Sequence, residues 1–546
     1  MRMFRHLWAH APGAFLTAAL ASVVSGSTGA LFIVLVDQAL RQPDAERTQY
    51  APAFVAVCLT TILSRVLAQV LLYRLAQDAV RRLRRTLVDR FLDTPLRRAE
   101  QLGPERLYSA LSDDVVTIGN AIPGVPAVCS NTAFAVVAVG YLTSVSPVVA
   151  LAALGAMVVA VVLYLGFARY GSRRLACARR DQDAMFGLFR AVTSGRAELT
   201  LNRDRRRAVA GTRFDDVAGS FRRSTVLGQS IYEGAAGAGQ LVFFAFVGLL
   251  LFVLAQAAGL SGETLTACVL VLIFVVTNVQ GVLVWFPAIG RASVALDAID
   301  RCLAALPPEP GLGEARDLPG PAAAVRLEGV RHVYPGPTGE SFELGPVDLE
   351  LRRGEVLFVT GGNGSGKTTL GKIVTGLYPP QAGRVLVDGT AVGDRERQGY
   401  RELFSAIFSD FYLFEELDGL PADDRATRTQ HYLERLQIAH KVRLDGGRFS
   451  TTALSQGQRK RLALVVAYLE DRPFYLFDEW AADQDPAFRR LFYEELLPEL
   501  RDRGKGVVVI THDDRYFHLA DRLVRLADGH LREGGDRDAV DARSRA

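Results

Sequence analysis

Lysine is scarce in this 546-residue chain. It occurs at 367, 372, 441, 460 and 505, and arginine carries nearly all the remaining basic charge, as expected of a GC-rich genome. The net charge of +4 is small. Without a basic excess there is no electrostatic footprint for nucleic acid. Cysteine is also sparse, at Cys58, Cys129, Cys177, Cys268 and Cys302. None stands in a CxxC or other metal-ligand spacing. That excludes a disulfide framework and leaves small buried hydrophobes as the default reading. Most telling is the lack of charge along whole stretches of the first 300 residues. The hydrophobic share is 49%, and the length is too great for one compact domain.

Six apolar runs reach or approach the roughly 20 residues that cross a bilayer core. They lie at about 13–36, 51–73, 127–145, 148–168, 234–257 and 265–287. A soluble all-helical core with so few charges would be unusual. The opening Met1-Arg2-Met3-Phe4-Arg5-His6 precedes a run too long for a signal-peptide core, and no cleavage site follows, so a retained membrane helix is expected. Arginines crowd the loop after the second run, from Arg74 to Arg106, and again after the fourth, from Arg169 to Arg207. The loops after runs one, three and five are short. They carry Arg41 and Arg47 among acids, no charge from Tyr141 to Pro147, and Glu263 alone. Positive loops stay in the cytoplasm, so both termini are expected inside. The two long loops keep a helical pattern, so the second to fifth helices should run on past the membrane. Arg65 falls inside the second run, where it either faces a substrate path or snorkels to an interface. Glu233 edges the fifth run and reads as an interface residue.

Residues 303–322 are dense in proline and glycine and read as a linker. The chain thus divides into a membrane part at 1–302, the linker, and a part at 323–546. Beyond the linker, short β-rich runs alternate with helical stretches: Val325–Leu327, Val356–Val359, Arg384–Val387, Phe474–Phe477 and Val507–Ile510. That pattern implies an α/β domain with a largely parallel sheet.

The strand Val356–Val359 runs into Gly361, Gly362, Asn363, Gly364, Ser365, Gly366, Lys367, Thr368 and Thr369, then a helical stretch. This is G-x-x-x-x-G-K-[ST] in a strand–loop–helix setting. Glycines let backbone N–H groups converge on phosphate oxygens, and a helix N-terminus adds positive potential. Lys367 supplies a point charge to outer phosphates and Thr368 a hydroxyl to Mg²⁺. The apolar strand Phe474–Phe477 ends in Asp478, placed to hold Mg²⁺ through water, and Glu479, placed as general base for an attacking water. Ser455, Gln456, Gly457 and Gln458 form a turn and helix cap ahead of that strand. His512 ends the strand Val507–Ile510 on the edge where such sheets bind ligands, within reach of a γ-phosphate. Tyr334 precedes the phosphate loop, where its ring either stacks on adenine or packs in the core.

These elements, in this order, resemble the ATP-binding-cassette transporter family over essentially the whole chain. The resemblance implies a six-helix transmembrane domain of exporter type followed by an α/β P-loop nucleotide-binding domain. It implies ATP and Mg²⁺ as cofactors. It makes Ser455, Gln456 and Gly457 the signature loop that closes over ATP held by another subunit, Tyr334 the adenine-stacking aromatic, His512 the switch histidine, and Asp485 the acidic end of the loop after Glu479. One nucleotide domain per chain implies a homodimer. Longer stretches, Ala467–Pro473, Phe477–Pro486, Phe492–Pro498 and Gly195–Asn202, resemble the cyclic-peptide exporter branch, which includes exporters of syringomycin-type lipopeptides and pyoverdine precursors. Where the family places a Mg²⁺-sensing glutamine, this chain has Ser409 followed by Asp410, a shorter reach.

The resulting expectation is ATP-driven export of a cyclic peptide, lipopeptide or siderophore precursor across the bacterial cytoplasmic membrane by alternating access. A siderophore importer of exporter fold and a lipid or drug exporter are the alternatives. Docking points on the long loops are expected near Thr94-Pro95 and within Arg205–Asp215. Membrane lipid surrounds the first part. No peptidase domain precedes the first helix, so leader-peptide cleavage is not expected.

Overall fold

The computed structural model describes residues 12–43, 46–311, 316, 318, 322–335, 341–420 and 424–533. Met1–His6 and much of the proline-rich connector lie outside the described residues. The chain forms two compact units, one of residues 1–87 and 105–302, the other of 88–104 and 303–546.

The first unit is built on long helices: α1 (Pro12–Arg41), α2 (Ala51–Leu92), α3 (Gly124–Val145), α4 (Pro147–Ser194), α5 (Phe214–Leu249) and α6 (Gly262–Ala305). Ser146 starts α4 by accepting the Val149 N–H, and Pro147 sits in its first turn, where a missing N–H costs nothing. Among the described residues six helices are long and apolar enough to span a membrane, yet protein buries only 11–33% of each apolar window. The remaining apolar side chains face outward, which suits lipid as solvent. In lipid, close backbone approach replaces the hydrophobic effect as the force between helices. Gly26 of α1 shows it: a Cβ there would fall 2.0 Å from the Ser130 carbonyl oxygen of α3. The one acid buried on α1, Asp37, accepts from the Tyr141 hydroxyl at 2.5 Å and pairs with Arg41 at 3.0 Å, as a charge in this setting requires. Arg65 is exposed on α2. Helices α2, α4 and α5 extend well beyond 20 residues, and so does α6. Cys268 and Cys302 are buried, Cys58 and Cys129 are half-buried, and Cys177 is exposed.

Among the described residues the second unit holds twelve strands: β1 (Ala324–Pro335), β2 (Ser341–Arg352), β3 (Val356–Gly361), β4 (Ala382–Val387), β5 (Thr390–Ala391), β6 (Phe404–Ile407), β7 (Leu444–Asp445), β8 (Arg448–Phe449), β9 (Phe474–Asp478), β10 (Gly506–Ile510), β11 (Arg522–Ala527) and β12 (His530–Glu533). A six-stranded sheet runs β12-β11-β3-β10-β9-β6, parallel except at β12. A four-stranded antiparallel sheet runs β2-β1-β4-β5. Every residue of β9 and β10 is buried. Continuous apolar runs of this kind are what helices on both faces demand. The helices that concern the site are α7 (Lys367–Val374) and α8 (Gln456–Glu470).

Residues 88–104 belong to this second unit. The segment turns at Thr94-Pro95 into a short helix, Leu96–Leu102. Leu96 packs against the core that contains Val325, Leu357 and Leu370. Arg97 donates to the Val333 carbonyl at 2.7 Å, and Glu100 accepts from Lys372 at 2.8 Å. The expected linker differs at its start. Leu303–Ala305 complete α6, because leucine and alanine favour helix and Pro307 is the first residue that cannot extend it. Glu309 is then anchored rather than free. It is 6% exposed at the side chain, bonds Arg401 at 2.7 Å through both oxygens and pairs with Arg397 at 3.3 Å. Its backbone N–H meets the Asp93 carbonyl at 2.7 Å.

Candidate active site

Gly361 closes β3, and α7 begins at Lys367. Between them Gly361, Gly364 and Gly366 take φ values of 155°, 77° and 98°, which side-chain-bearing residues avoid. At Gly361 a Cβ would also lie 2.2 Å from the Leu526 carbonyl oxygen. The exposed faces of Gly362, Asn363 and Gly364 leave the loop open to a ligand. Lys367 Nζ donates to the carbonyls of Gly361 and Gly362, each at 2.9 Å. Burial draws its ammonium below the ordinary lysine range, with Glu479 and Asp478 opposing. Ser365 Oγ is buried with no hydrogen-bond partner. An unsatisfied hydroxyl, a desolvated ammonium and a helix N-terminus at one loop fit a polyphosphate anion.

Asp478, at the end of β9, is 1% exposed. It accepts from the Thr368 hydroxyl at 2.9 Å and from the Ser409 backbone N–H. Burial pushes its carboxyl up from 3.8, and the Thr368 bond partly offsets this. Thr368 and Asp478 therefore already form a hard oxygen pair of the kind Mg²⁺ takes. Ser409 is exposed, and it meets Asp478 through its backbone rather than its hydroxyl.

The parallel register pairs Ile510 with Asp478. The residues just beyond each strand therefore lie side by side, and His512 Nε2 comes 3.1 Å from Glu479 Oε1. Glu479 sits in the left-handed region at φ 50°. Two contacts hold it: its N–H meets the Ile510 carbonyl at 3.0 Å, and its carbonyl accepts from Lys460 Nζ at 2.7 Å.

Lys460 went unnoticed in the sequence. It lies on α8, is 3% exposed, and also pairs with Asp483 at 2.7 Å. Its only signal was rarity, as one of few lysines in an arginine-rich chain. Arg461 was missed as well; it bonds Gln484 at 3.0 Å and Asp485 at 2.5 Å.

Ser455 caps α8, with Ser455 and Gln458 forming a reciprocal capping box. Gly457 lies so close to the next loop that a Cβ would be 2.8 Å from the Asp483 carbonyl oxygen. Gln484 donates to the Gly457 carbonyl at 3.0 Å, and Asp485 caps the following helix through the Phe488 N–H. Gln456 begins α8 and is exposed. Among the described residues no hydrogen bond joins Ser455, Gln456, Gly457 or Gln458 to the phosphate loop. Tyr334 lies near that loop: the Thr369 hydroxyl is 3.5 Å from its phenol oxygen, and the Arg97 guanidinium stands 5.3 Å from its ring centroid.

A phosphate-holding loop, a buried magnesium-type carboxylate and a glutamate–histidine pair share one edge of a parallel sheet. That edge is built to hydrolyse a nucleoside triphosphate, and six membrane-length helices in the same chain make the molecule a membrane ATPase. The profile described as "ABC transporter" matches residues 344–482, and "ABC transporter transmembrane region" matches 13–193. The chain is 35% identical over 542 residues to "ATP-binding protein SyrD" of Pseudomonas syringae pv. syringae, covering 96% of this chain and 95% of that one. It is 26% identical over 554 residues to an "ATP-dependent lipid A-core flippase" of Chromobacterium violaceum, covering 96% and 91%. Its fold matches "Structure of a bacterial Atm1-family ABC exporter with ATP bound" at TM-score 0.77 and 18% identity, over 98% of this chain and 97% of that one. The chain belongs to the ABC transporter family, as an exporter-type half transporter with one membrane unit and one ATP-hydrolysing unit. Such a half transporter works as a dimer.

Proposed function

We propose that two copies of this chain export a peptide-type secondary metabolite, a cyclic peptide, lipopeptide or siderophore precursor, across the bacterial cytoplasmic membrane. The observation that carries this reading is the similarity to SyrD along 96% of the chain, which coincides with the resemblance to the cyclic-peptide exporter branch. Bound Mg·ATP supplies the free energy of phosphoryl transfer to water. Lys367 and the N–H groups of Gly362–Thr368 hold the outer phosphates. Thr368 and Asp478 hold Mg²⁺, with the Ser409 N–H fixing Asp478. Glu479 takes a proton from the attacking water, and His512 keeps its carboxylate aimed. Tyr334 stacks on the base. Ser455, Gln456 and Gly457, capped away from their own phosphate loop, serve the partner's. Closure of the two nucleotide units moves the segments that carry Thr94-Pro95 and Arg205–Asp215, and the membrane helices reorient.

The arginine-rich loops support a reading with both termini in the cytoplasm. The test is uptake into inverted membrane vesicles. ATP should drive a labelled lipopeptide or siderophore precursor into the vesicles with wild-type protein and not with Glu479→Gln. ATP-driven loss of cargo from preloaded vesicles would instead establish an importer.

A further inference from the structure

Two cavities in the membrane unit lie side by side. One, of about 570 Å³, lies among α3, α4, α5 and α6, within the range of small-molecule pockets (about 300–1,000 Å³). Its walls include Leu142, Met157, Phe243, Phe246, Leu272 and Val275. The other, of about 2160 Å³, adjoins it, and the two share Tyr164, Leu175, Gln229, Tyr232, Pro287 and Arg291. The charges are unequal between them. Among the described residues the larger cavity is lined by Arg84, Arg169, Arg190 and Arg291 and by one acid, Asp113, and Arg190 is itself engaged in an interaction. Arg84 is tied to the Leu111 carbonyl at 3.2 Å. Arg169 and Arg291 make no ion pair among the described residues. The smaller cavity has one acid, Glu233, which accepts from Gln229 at 3.3 Å.

Arg169 and Arg291 lie just past the fourth and sixth apolar runs, and both line the larger cavity without a carboxylate partner among the described residues, an arrangement that suits an anionic ligand. A guanidinium holds a carboxylate or phosphate by paired N–H bonds. Next to them, a mostly apolar pocket takes a hydrocarbon or apolar side chain. We infer that the cargo is an amphiphile with an acidic headgroup, its carboxylate or phosphate held by Arg169 and Arg291 and its apolar part seated between Leu142 and Phe246. This deepens the export reading above and rests on it. Arg291 lines both cavities and so fixes where headgroup meets tail. At the same junction Gln229 offers hydrogen bonds to an amide next to the acid, and the Tyr164 oxygen, whose proton goes to the Leu283 carbonyl at 3.1 Å, accepts from its N–H.

The test uses the full chain in nanodiscs and matched probes: N-dodecanoyl-glutamate, N-dodecanoyl-glutamine amide, N-dodecanoyl-lysine amide and dodecyl phosphate. The readout is the concentration giving half-maximal change in ATPase rate, compared between probes within each variant. Wild type should respond to N-dodecanoyl-glutamate at a concentration at least about tenfold lower than to the neutral amide, the value of one charge-assisted bond. Arg169→Glu combined with Arg291→Glu should reverse the order in favour of the lysine amide, and Arg169→Lys with Arg291→Lys should keep the acidic preference. Equal response to all probes, preference for the lysine amide in wild type, no response to any, or unchanged selectivity in the double glutamate variant would overturn the inference. Response to dodecyl phosphate alone would keep the acidic-amphiphile site and refute a peptide cargo. ATP-driven lipopeptide uptake without acidic selectivity would do the reverse.

Discussion

Lys460→Met isolates the support beneath the glutamate that faces water. The substitution keeps most of the side-chain volume and removes one ammonium. In the native arrangement that ammonium donates at 2.7 Å to the Glu479 carbonyl and at 2.7 Å to Asp483. Glu479 holds a left-handed backbone at φ 50°, a conformation that persists only when surrounding contacts over-determine it. Removing a charged donor from a buried carbonyl costs about 1.5–3 kcal/mol. Asp483 is half exposed, at 46% of its side chain, so water takes over its share and the lower end applies. The thermal midpoint should fall by a few degrees. The sharper consequence is kinetic, since about 1 Å of misplacement of a reacting group costs roughly 10²-fold in rate. The predicted outcome is a kcat for Mg·ATP lowered about 10- to 100-fold, with ATP affinity nearly unchanged, because Lys460 touches neither the phosphate loop nor Asp478. The assays are steady-state phosphate release in nanodiscs, equilibrium binding of fluorescent ATP, and thermal denaturation of the same preparation. A variant that melts earlier but keeps its full kcat would refute the reasoning, as would one that loses ATP binding.

Glu479→Gln should bind ATP like wild type and show no turnover above background; full ATPase activity in that variant would overturn the general-base assignment. Lys367→Ala should abolish both binding and hydrolysis, read by the same fluorescent nucleotide. Glu309→Ala should destabilise by about 1.5–3 kcal/mol, since it removes the bonds from Arg401 and Arg397 while Arg397 keeps Asp394 at 2.6 Å and Arg401 keeps the Gly376 carbonyl at 2.9 Å, and chemical denaturation of the full chain measures it. Glu470 tests the pH dependence. Burial pushes its carboxyl above the ordinary 4.5, against a bond from the Ser405 hydroxyl. A raised acid makes the folded chain bind the extra proton, so stability falls as pH rises from about 4.5 through the elevated value. Glu470→Gln should flatten that fall in melting temperatures taken across the same interval.

Much of this was legible in the residues. The phosphate loop could be read because glycine is nearly obligatory where φ is positive and N–H groups must converge, so chemistry and sequence coincide at 361–369. The pairing of His512 with Glu479 was half legible: each ended an apolar strand, but their 3.1 Å contact depends on β9 and β10 being neighbours in register. Lys460, Arg461 and Glu309 were not legible. Each acts through partners far along the chain, and a charged residue on a helix or in a proline-rich stretch reads as solvated until burial is known. A docking point was expected near Thr94-Pro95; the clustering of residues 88–104 with the C-terminal half rests on Leu96, Arg97 and Glu100, whose partners lie some 200 residues away or more.

By itself the sequence determined the six membrane spans, the α/β class of the C-terminal half and the nucleotide loop, because hydrophobic run length, strand–helix alternation and glycine placement are local properties. Only the tertiary structure decided which arginines line a cavity, which lysine braces Glu479, and that the start of the linker is clamped. Those depend on which face of a helix meets another and on what is removed from water, and a chain carries that information only once it has folded.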